Sequence, residues 1–241
     1  MAHRAGALLV LMSMSRLCDA ATPPDEFRSS RSAPQGREEP EFRGALSAWY
    51  DRCQRQAGRD AGIDWLLAKA VRVKESFDDA AHISTTGAVG LMQLMPTGGG
   101  RMYVTASYLA FIEARRSPDR RHRGRRDRQW AEDYRRELLL LLHSTPQQRL
   151  VRLDRRFDPC WNIQRGTRHL AADRRRFQRR YPAAAPRELR RMTLGAYFAG
   201  PGRVRFRGAR AVFGGPTRVI ERYVEDVLGV YRRLRAGLPG R

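Results

Sequence analysis

The stretch ESFDDAAHISTTGAVGLMQLMP, Glu75 to Pro96, decides how the rest of the chain is interpreted. It begins with a carboxylate at the end of a helical pattern, continues through a polar loop, and reaches a turn of small residues, Gly87 to Gly90. An apolar run follows, and it contains a single amide, Gln93. Burial beside Leu and Met side chains raises the pKa of a carboxyl group, which a general acid needs near neutral pH. The stretch therefore predicts an acid at Glu75, although an isolated Glu would be interpreted as an ordinary surface residue.

The spacing in this stretch resembles the active-site segment of the lytic transglycosylases, the goose-lysozyme-like enzymes that cleave peptidoglycan. The family pattern is Glu-Ser, then a Ser nine residues after the Glu, then Gly-Ala-x-Gly-Leu-Met-Gln-Leu-Met-Pro. The positions that match in spacing and type are Glu75, Ser84, Gly87, Gly90, Met92 and Gln93.

Two later segments resemble further motifs of the same family. Phe157 to Ile163, followed by Gly166, corresponds to Asp-Pro-x-x-Asn-Ile-x-x-Gly, in which Asn162 is expected to hold backbone groups. Gly195 to Gly202 corresponds to Ala-Tyr-Asn-Ala-Gly-Pro-Gly, although Phe198 stands where the family has Asn. This replacement removes an amide that could position the acid or the sugar.

The resemblance implies a reaction and a set of site residues. Glu75 protonates the bond between N-acetylmuramic acid and N-acetylglucosamine, and the ionised Glu75 then accepts the proton of the muramic acid 6-hydroxyl. The sugar closes into a 1,6-anhydro ring without a metal or a cofactor, unlike glycosidases that use two carboxylates. Asp78 and Asp79 are expected to be solvated. The residues expected to bind substrate are Ser84, Gly90, Met92, Gln93, Tyr197, Phe198 and Tyr223.

Three other functions remain open on the sequence. The same acid could support hydrolysis, as in goose-type lysozymes. The loss of the family Asn could instead leave a non-catalytic protein that binds peptidoglycan or acts as a scaffold. Nucleic-acid binding through the Arg-dense stretch Arg115 to Arg128 is a less favoured interpretation, because such a run is more often a solvated or disordered loop.

The resemblance implies an all-α, lysozyme-like domain over residues 45–236, interrupted by an Arg-rich helical insertion at 97–157. Helical spacing predicts helices over Ala45–Gly58, with Gly58 as its C-cap, and over Trp65–Phe77, with Asp64 as its N-cap. Thr217 to Leu234 has an amphipathic pattern. Its predicted apolar face consists of Val219, Ile220, Tyr223, Val224, Val227, Leu228 and Tyr231.

The charge of the chain is extreme, at +22 over 241 residues. All but two of its 47 basic residues are Arg, the exceptions being Lys69 and Lys74. Such a surface is expected to adhere to polyanions. Peptidoglycan strands are the expected partner, with anionic polymers of the cell envelope as further partners of the Arg-rich surface.

The N-terminal region predicts export to the periplasm or cell envelope. Residues 1–20 have a basic start and an apolar run, Ala5 to Met14, as in a signal peptide, and the run is too short to span a bilayer. A lipid anchor at Cys18 is disfavoured because Leu17 stands where a small residue is expected. Residues 21–44 are rich in Pro, Ser, Arg and Glu and predict a disordered linker.

The remaining cysteines are Cys53 and Cys160. In an exported chain two cysteines can form a disulfide. Two buried thiols are an equal alternative at this stage.

Overall fold

The computed structural model describes residues 40–96, 102–103, 105, 108–109 and 123–237, and for 40–46 and 123–128 only the course of the backbone. The chain divides after Arg43 into two compact units, and of the first only residues 40–43 are described. The second unit, residues 44–241, contains the features discussed below. The predicted signal segment (1–20), Cys18 and residues 21–39 of the predicted linker lie outside the described residues.

The described residues are mostly helical, which confirms the predicted all-α class. The helices are α1 Pro40–Ala61, α2 Trp65–Ser76, α3 Arg123–Ser144, α4 Gln147–Leu153, α5 Pro159–Arg180, α6 Pro186–Ala199 and α7 Thr217–Ala236. Short 3-10 turns at Arg155–Phe157 and Pro201–Arg203 precede α5 and the hairpin, whose strands are β1 Val204–Arg207 and β2 Arg210–Phe213. Within the part of the chain described here, no helix combines the length and apolar character that a membrane span requires.

The junction between α1 and α2 confirms one predicted cap and corrects another. The side chain of Asp64 accepts a hydrogen bond from the backbone N–H of Leu66, as expected of an N-cap. Gly58 does not end α1, which begins earlier than predicted, at Pro40, and continues to Ala61. A Cβ atom at Gly58 would lie 2.8 Å from the Cβ of Trp65. Gly58 is therefore needed for the close packing of α1 against the start of α2.

The main hydrophobic core lies between α2, α5, α6 and α7. Leu67, Ala70 and Val71 of α2 are fully or almost fully buried there, and α2 packs most extensively against α7. The predicted apolar face of α7 is confirmed except at Val219, which is exposed, because the helix turns this first-turn residue toward solvent. The packing of α2 on α7 brings the last turn of α2, which carries Glu75, beside α7.

A second hydrophobic cluster joins the predicted insertion to the stretch after Glu75. Tyr134 and Leu138 of α3 pack with Leu150 of α4, and with Ile83 and Val89 of the stretch that follows α2. Residues 123–128, predicted as a solvated loop, are instead the first turns of α3, whereas residues 110–122 lie outside the described residues. Tyr134, Leu138 and Leu150 of the insertion thus belong to this second cluster.

The hairpin was not expected from the sequence. β1 and β2 pair antiparallel, with Val204 opposite Phe213. Both of these residues are buried, and Phe213 packs against Gly195 of α6. The alternation Val-Arg-Phe-Arg before Gly208 is a period-two pattern that could have predicted the first strand.

The structure pairs Cys53 of α1 with Cys160 of α5 in a disulfide, with their Cα atoms 5.5 Å apart. The cross-link closes a long loop, since the two residues are separated by 107 positions. In the chain-entropy description, such a cross-link stabilises a fold by restricting the unfolded chain.

We expect the double substitution Cys53→Ala and Cys160→Ala to lower the free energy of unfolding by about 2–4 kcal/mol. Denaturant unfolding of the variant and of the wild type under oxidising conditions measures the difference. Thiol counting on the chain without residues 1–20, and therefore without Cys18, provides the control: neither cysteine should react without reductant, and both should react after reduction. Full reaction of Cys53 and Cys160 before reduction would contradict the disulfide.

Candidate active site

Glu75 lies in the last turn of α2, half-buried, with its side chain directed at α7. The hydroxyl of Tyr223 donates a hydrogen bond of 2.5 Å to Oε1 of Glu75. Burial raises the pKa of Glu75 to about 7, while the hydrogen bond from Tyr223 and the charge of Lys74 oppose the rise in pKa. Lys74 is itself paired with Asp226 at 2.7 Å. The arrangement produces a carboxyl group that is about half protonated near neutral pH.

Phe198 lies beside this pair. Its ring stacks on that of Tyr223, with the centroids 4.5 Å apart and the planes inclined by 21°. The side chain is still 45% exposed, so one face of the ring covers Tyr223 while part of it is open to solvent. The structure therefore brings together Glu75, Tyr223 and Phe198, three of the residues predicted for the site.

Tyr197 reaches a different part of the site. Its hydroxyl donates a hydrogen bond of 2.7 Å to the backbone carbonyl of Met92. Burial raises the pKa of Tyr197 well above its usual value, and the negative charges of Glu75 and Asp173 contribute smaller increases. Tyr197 thus stays a neutral donor that ties α6 to the apolar run after the turn.

The site loop, residues 82–95, is held by local hydrogen bonds. Isolated β-bridges pair Val89 with both Ile83 and Leu94. Oγ of Ser84 accepts hydrogen bonds from the backbone N–H groups of Thr86 and Ala88, at 3.3 and 3.0 Å. Ser84, predicted to bind substrate, is thus used by the turn that it begins.

Gln93 also braces the loop that carries it. Its backbone has a positive φ of 46°, and its side-chain amide donates to the carbonyl oxygens of Gly90 and His82, at 2.9 and 3.2 Å. The Gln93 side chain is only half-buried. The amide N–H groups therefore have structural partners within the site loop.

Met92 and Gly90 are buried beneath the loop surface. The Met92 side chain is fully buried, and a Cβ at Gly166 of α5 would lie 2.5 Å from the Met92 Cβ. Gly90 has a φ of 78°, and a Cβ there would lie 2.6 Å from the carbonyl oxygen of Arg156. The structure places both residues in the support of the loop and not on a surface open to a sugar.

Asn162 of α5 fastens the loop from below, as expected for a structural residue. Its Oδ1 accepts a hydrogen bond from the backbone N–H of Met92 at 2.7 Å. Its Nδ2 donates to the carbonyl oxygens of Val89 and Arg156, at 2.9 and 2.8 Å.

Arg156 is a support that the sequence did not reveal. Its side chain is fully buried and paired with the equally buried Asp154, with a closest distance of 2.6 Å. Nη1 donates to the carbonyl oxygens of Gly87 and Leu94 in the site loop, at 3.2 and 3.1 Å, and Nη2 donates to the hydroxyl of Tyr134 at 2.6 Å. No local pattern distinguishes this residue from the many exposed arginines of the chain.

Asp78 was expected to be solvated, and this is wrong. The fully buried Arg72 binds Asp78 through Nε at 2.8 Å and also binds Asp51 at 2.8 Å. Ser47 donates a further hydrogen bond of 3.1 Å to Asp78. These contacts fix the turn after α2, where Phe77 and Asp78 both have positive φ. Asp79, in contrast, is exposed as expected.

Comparison with known protein families matches the transglycosylase SLT domain to residues 52–119, less than a third of the chain. The matched segment contains α2, Glu75 and the site loop, and it confirms the resemblance to the SLT-type lytic transglycosylases. The match supports an enzyme of the transglycosylase type that acts on peptidoglycan, on an all-α, lysozyme-like fold. A search of curated proteins found no match to the chain.

We expect Arg156→Met to destabilise the protein by about 3–5 kcal/mol, because the substitution leaves the carboxylate of Asp154 buried without its partner. It also removes the two donors that hold the site loop. Denaturant unfolding measures the loss. Arg152→Met is the matched control: Arg152 is exposed on α4, and its substitution should change stability by no more than about 0.5 kcal/mol. Equal stability of the two variants would show that the buried pair does not support the loop.

Proposed function

We propose that the protein is a lytic murein transglycosylase, with Glu75 as its single acid and base. It cleaves the β-1,4 bond between N-acetylmuramic acid and N-acetylglucosamine and leaves 1,6-anhydro-N-acetylmuramic acid ends. The observation that carries the proposal is the half-buried Glu75 carboxyl, whose pKa is raised to about 7 beside the site loop. The family match over the same segment supports it.

In the proposed reaction the protonated Glu75 donates its proton to the glycosidic oxygen as the bond from the muramic acid C1 to that oxygen breaks. The resulting carboxylate accepts the proton of the 6-hydroxyl as the bond from O6 to C1 forms. Glu75 ends protonated, so each turnover restores the acid and consumes no water. A pKa of about 7 suits this double use, since general acids and bases work best when their pKa lies near the working pH.

Tyr223 has a positioning role in this scheme. Its hydroxyl holds Oε1 of Glu75 at 2.5 Å and stabilises the carboxylate that forms after the first proton transfer. Burial, with the nearby Glu75 charge, raises the pKa of Tyr223 well above its usual value, so that it remains a donor throughout. Oε2 is then the oxygen available to the substrate.

Phe198 offers the sugar a flat apolar face beside the acid, in place of the family amide. The partly exposed ring is oriented by its stacking on Tyr223. An apolar ring in this position also favours the non-catalytic interpretation, in which the protein binds glycan strands without cleaving them. Hydrolysis by the same acid is distinguished by its product, a reducing end instead of an anhydro end.

Peptidoglycan as substrate requires export to the periplasm or cell envelope. We propose this location on the chemistry of the substrate and on the signal pattern of residues 1–20, which lie outside the described residues.

We expect Glu75→Gln to lower the release of anhydro-muropeptides from purified peptidoglycan by at least about a hundredfold, because the amide cannot donate a proton. Mass analysis of the released fragments measures this. Asp79→Asn, which removes an exposed carboxylate four residues away, is the control and should retain activity. Near-normal release by Glu75→Gln would overturn the assignment of the acid.

The same variant has a stability signature that does not depend on turnover. The folded pKa of Glu75 lies above its ordinary value of 4.5, so the group favours the fold below pH 4.5, and this contribution is lost as pH rises through about 7. Glu75→Gln does not ionise. Its melting temperature should therefore exceed that of the wild type at pH 8, by a margin that shrinks toward pH 5.

We expect Phe198→Asn to move the alkaline limb of the pH–rate profile to lower pH. The polar amide reduces the desolvation of Glu75 and lowers its pKa, and activity is lost as the acid deprotonates. Phe198→Leu keeps the site apolar and should leave the limb in place. If Phe198→Asn and Phe198→Leu show the same alkaline limb of the pH–rate profile, Phe198 does not set the pKa of Glu75. A wild type that is inactive at every pH, together with an active Phe198→Asn variant, would favour the non-catalytic interpretation.

A further inference from the structure

A pocket of about 390 Å³ lies between α6 and α7. Two arginines of α6, Arg187 and Arg190, and two of α7, Arg232 and Arg235, surround it. Its apolar part is formed by Leu228 and Tyr231 of α7. We call this group the basic pocket. Glu225, the lining residue nearest to Tyr223 in the sequence, lies two positions after it, which is about 200° around α7, so the basic pocket and Glu75 lie on different sides of this helix.

Four arginines and one carboxylate line the basic pocket, so its described lining carries a net positive charge. Glu225 is the carboxylate among its lining residues, and Glu225 is already bound by Arg191 outside the pocket. Among the described residues, none of the four pocket arginines forms an ion pair with a carboxylate. Four guanidinium groups around one concave surface repel each other, and an anionic ligand would relieve that repulsion.

The floor of the basic pocket is fixed. Leu228 and Tyr231 are both buried, and the hydroxyl of Tyr231 donates a hydrogen bond of 2.5 Å to Asp64, the N-cap of α2. The guanidinium of Arg235 lies 5.9 Å from the centre of the Tyr231 ring. The pocket thus combines a buried apolar floor with cationic side chains at its rim, as many ligand sites do.

We propose that the basic pocket binds a phosphate ester of a sugar or polyol, as carried by the repeating units of an anionic envelope polymer. Guanidinium groups bind phosphate through paired hydrogen bonds, and a phosphate ester presents several acceptor oxygens to the arginines of both helices. The volume exceeds that of a single phosphate ion and leaves room for the carbon part of the ester against Leu228 and Tyr231. The basic pocket holds the protein on a polymer while Glu75 acts elsewhere, and this binding does not depend on the proposed glycosidic reaction.

The test compares two double variants of the full chain with equal net charge. Arg190→Gln with Arg232→Gln alters the basic pocket, and Arg168→Gln with Arg179→Gln removes two exposed arginines of α5 as the matched control. Isothermal titration calorimetry with synthetic poly(glycerol phosphate), at about 0.15 M salt to suppress long-range attraction, measures the affinity. We expect the pocket variant to bind at least about tenfold more weakly than the wild type, and the control to match the wild type within about twofold.

Two further arms identify the source of the phosphate and separate this proposal from the proposed function. The pocket variant and the matched control variant should bind vesicles of phosphatidylglycerol equally well. Phosphatidylcholine vesicles are the neutral control. Glu75→Gln should bind poly(glycerol phosphate) as the wild type does, whatever its activity. An equal loss in both double variants would attribute binding to diffuse charge, and a pocket-specific loss seen only with lipid vesicles would identify a membrane site. Either outcome overturns the proposal.

A third double variant, Arg187→Gln with Arg235→Gln, changes the other two arginines of the basic pocket and is titrated with poly(glycerol phosphate) in the same way. These side chains are exposed, so the variant is expected to unfold at the wild-type temperature. It should show the same loss of affinity. Wild-type affinity in this folded variant would also overturn the proposal.

Discussion

The buried pair of Arg156 and Asp154 is the interaction on which the active-site region depends. The site loop has almost no regular secondary structure, so its backbone carbonyls need partners from elsewhere. Arg156 supplies donors to Gly87 and Leu94, and Asn162 supplies a donor to Val89 and an acceptor to Met92. Desolvation of a guanidinium is costly, and here the carboxylate of Asp154, two loop carbonyls and the hydroxyl of Tyr134 offset that cost. Side chains from outside the loop therefore add to the hydrogen bonds that Ser84 and Gln93 make within it.

The chemistry of Glu75 follows from the packing of two helices. α2 buries its apolar face against α7, and this packing places the carboxyl of Glu75 against the hydroxyl of Tyr223. Burial raises the pKa of Glu75, and the hydrogen bond from Tyr223 moderates the rise. The protonated and ionised forms of the carboxyl are therefore both present near neutral pH. The proposed reaction needs both forms, since the same carboxyl group must first donate a proton and then accept one. The contact that builds the core also positions the proposed acid.

Local signals in the sequence were sufficient for much of the fold. The N-cap at Asp64, the position of Glu75 in the last helical turn and most of the apolar face of α7 all depend on residues within a few positions of each other. The errors have a different origin. Gly58 packs closely against Trp65 across the turn between α1 and α2, and Asp78 is bound by a buried arginine, so neither residue behaves as its neighbours in the sequence suggest. Arg156 could not be identified because burial, not residue type, separates it from other arginines, and burial is a property of the assembled fold.

The chain order of the site has a consequence for synthesis. Glu75 and the hydroxyl that holds it are 148 positions apart, and the guanidinium that shapes the loop is 62 positions after Leu94. A growing chain that has emerged only as far as the site loop carries an ordinary, water-exposed carboxylate, because α7 has yet to be made. The raised pKa, which keeps part of the carboxyl protonated near neutral pH, arises only when α7 docks on α2. A chain whose α7 is unfolded therefore lacks the raised pKa on which the proposed cleavage depends.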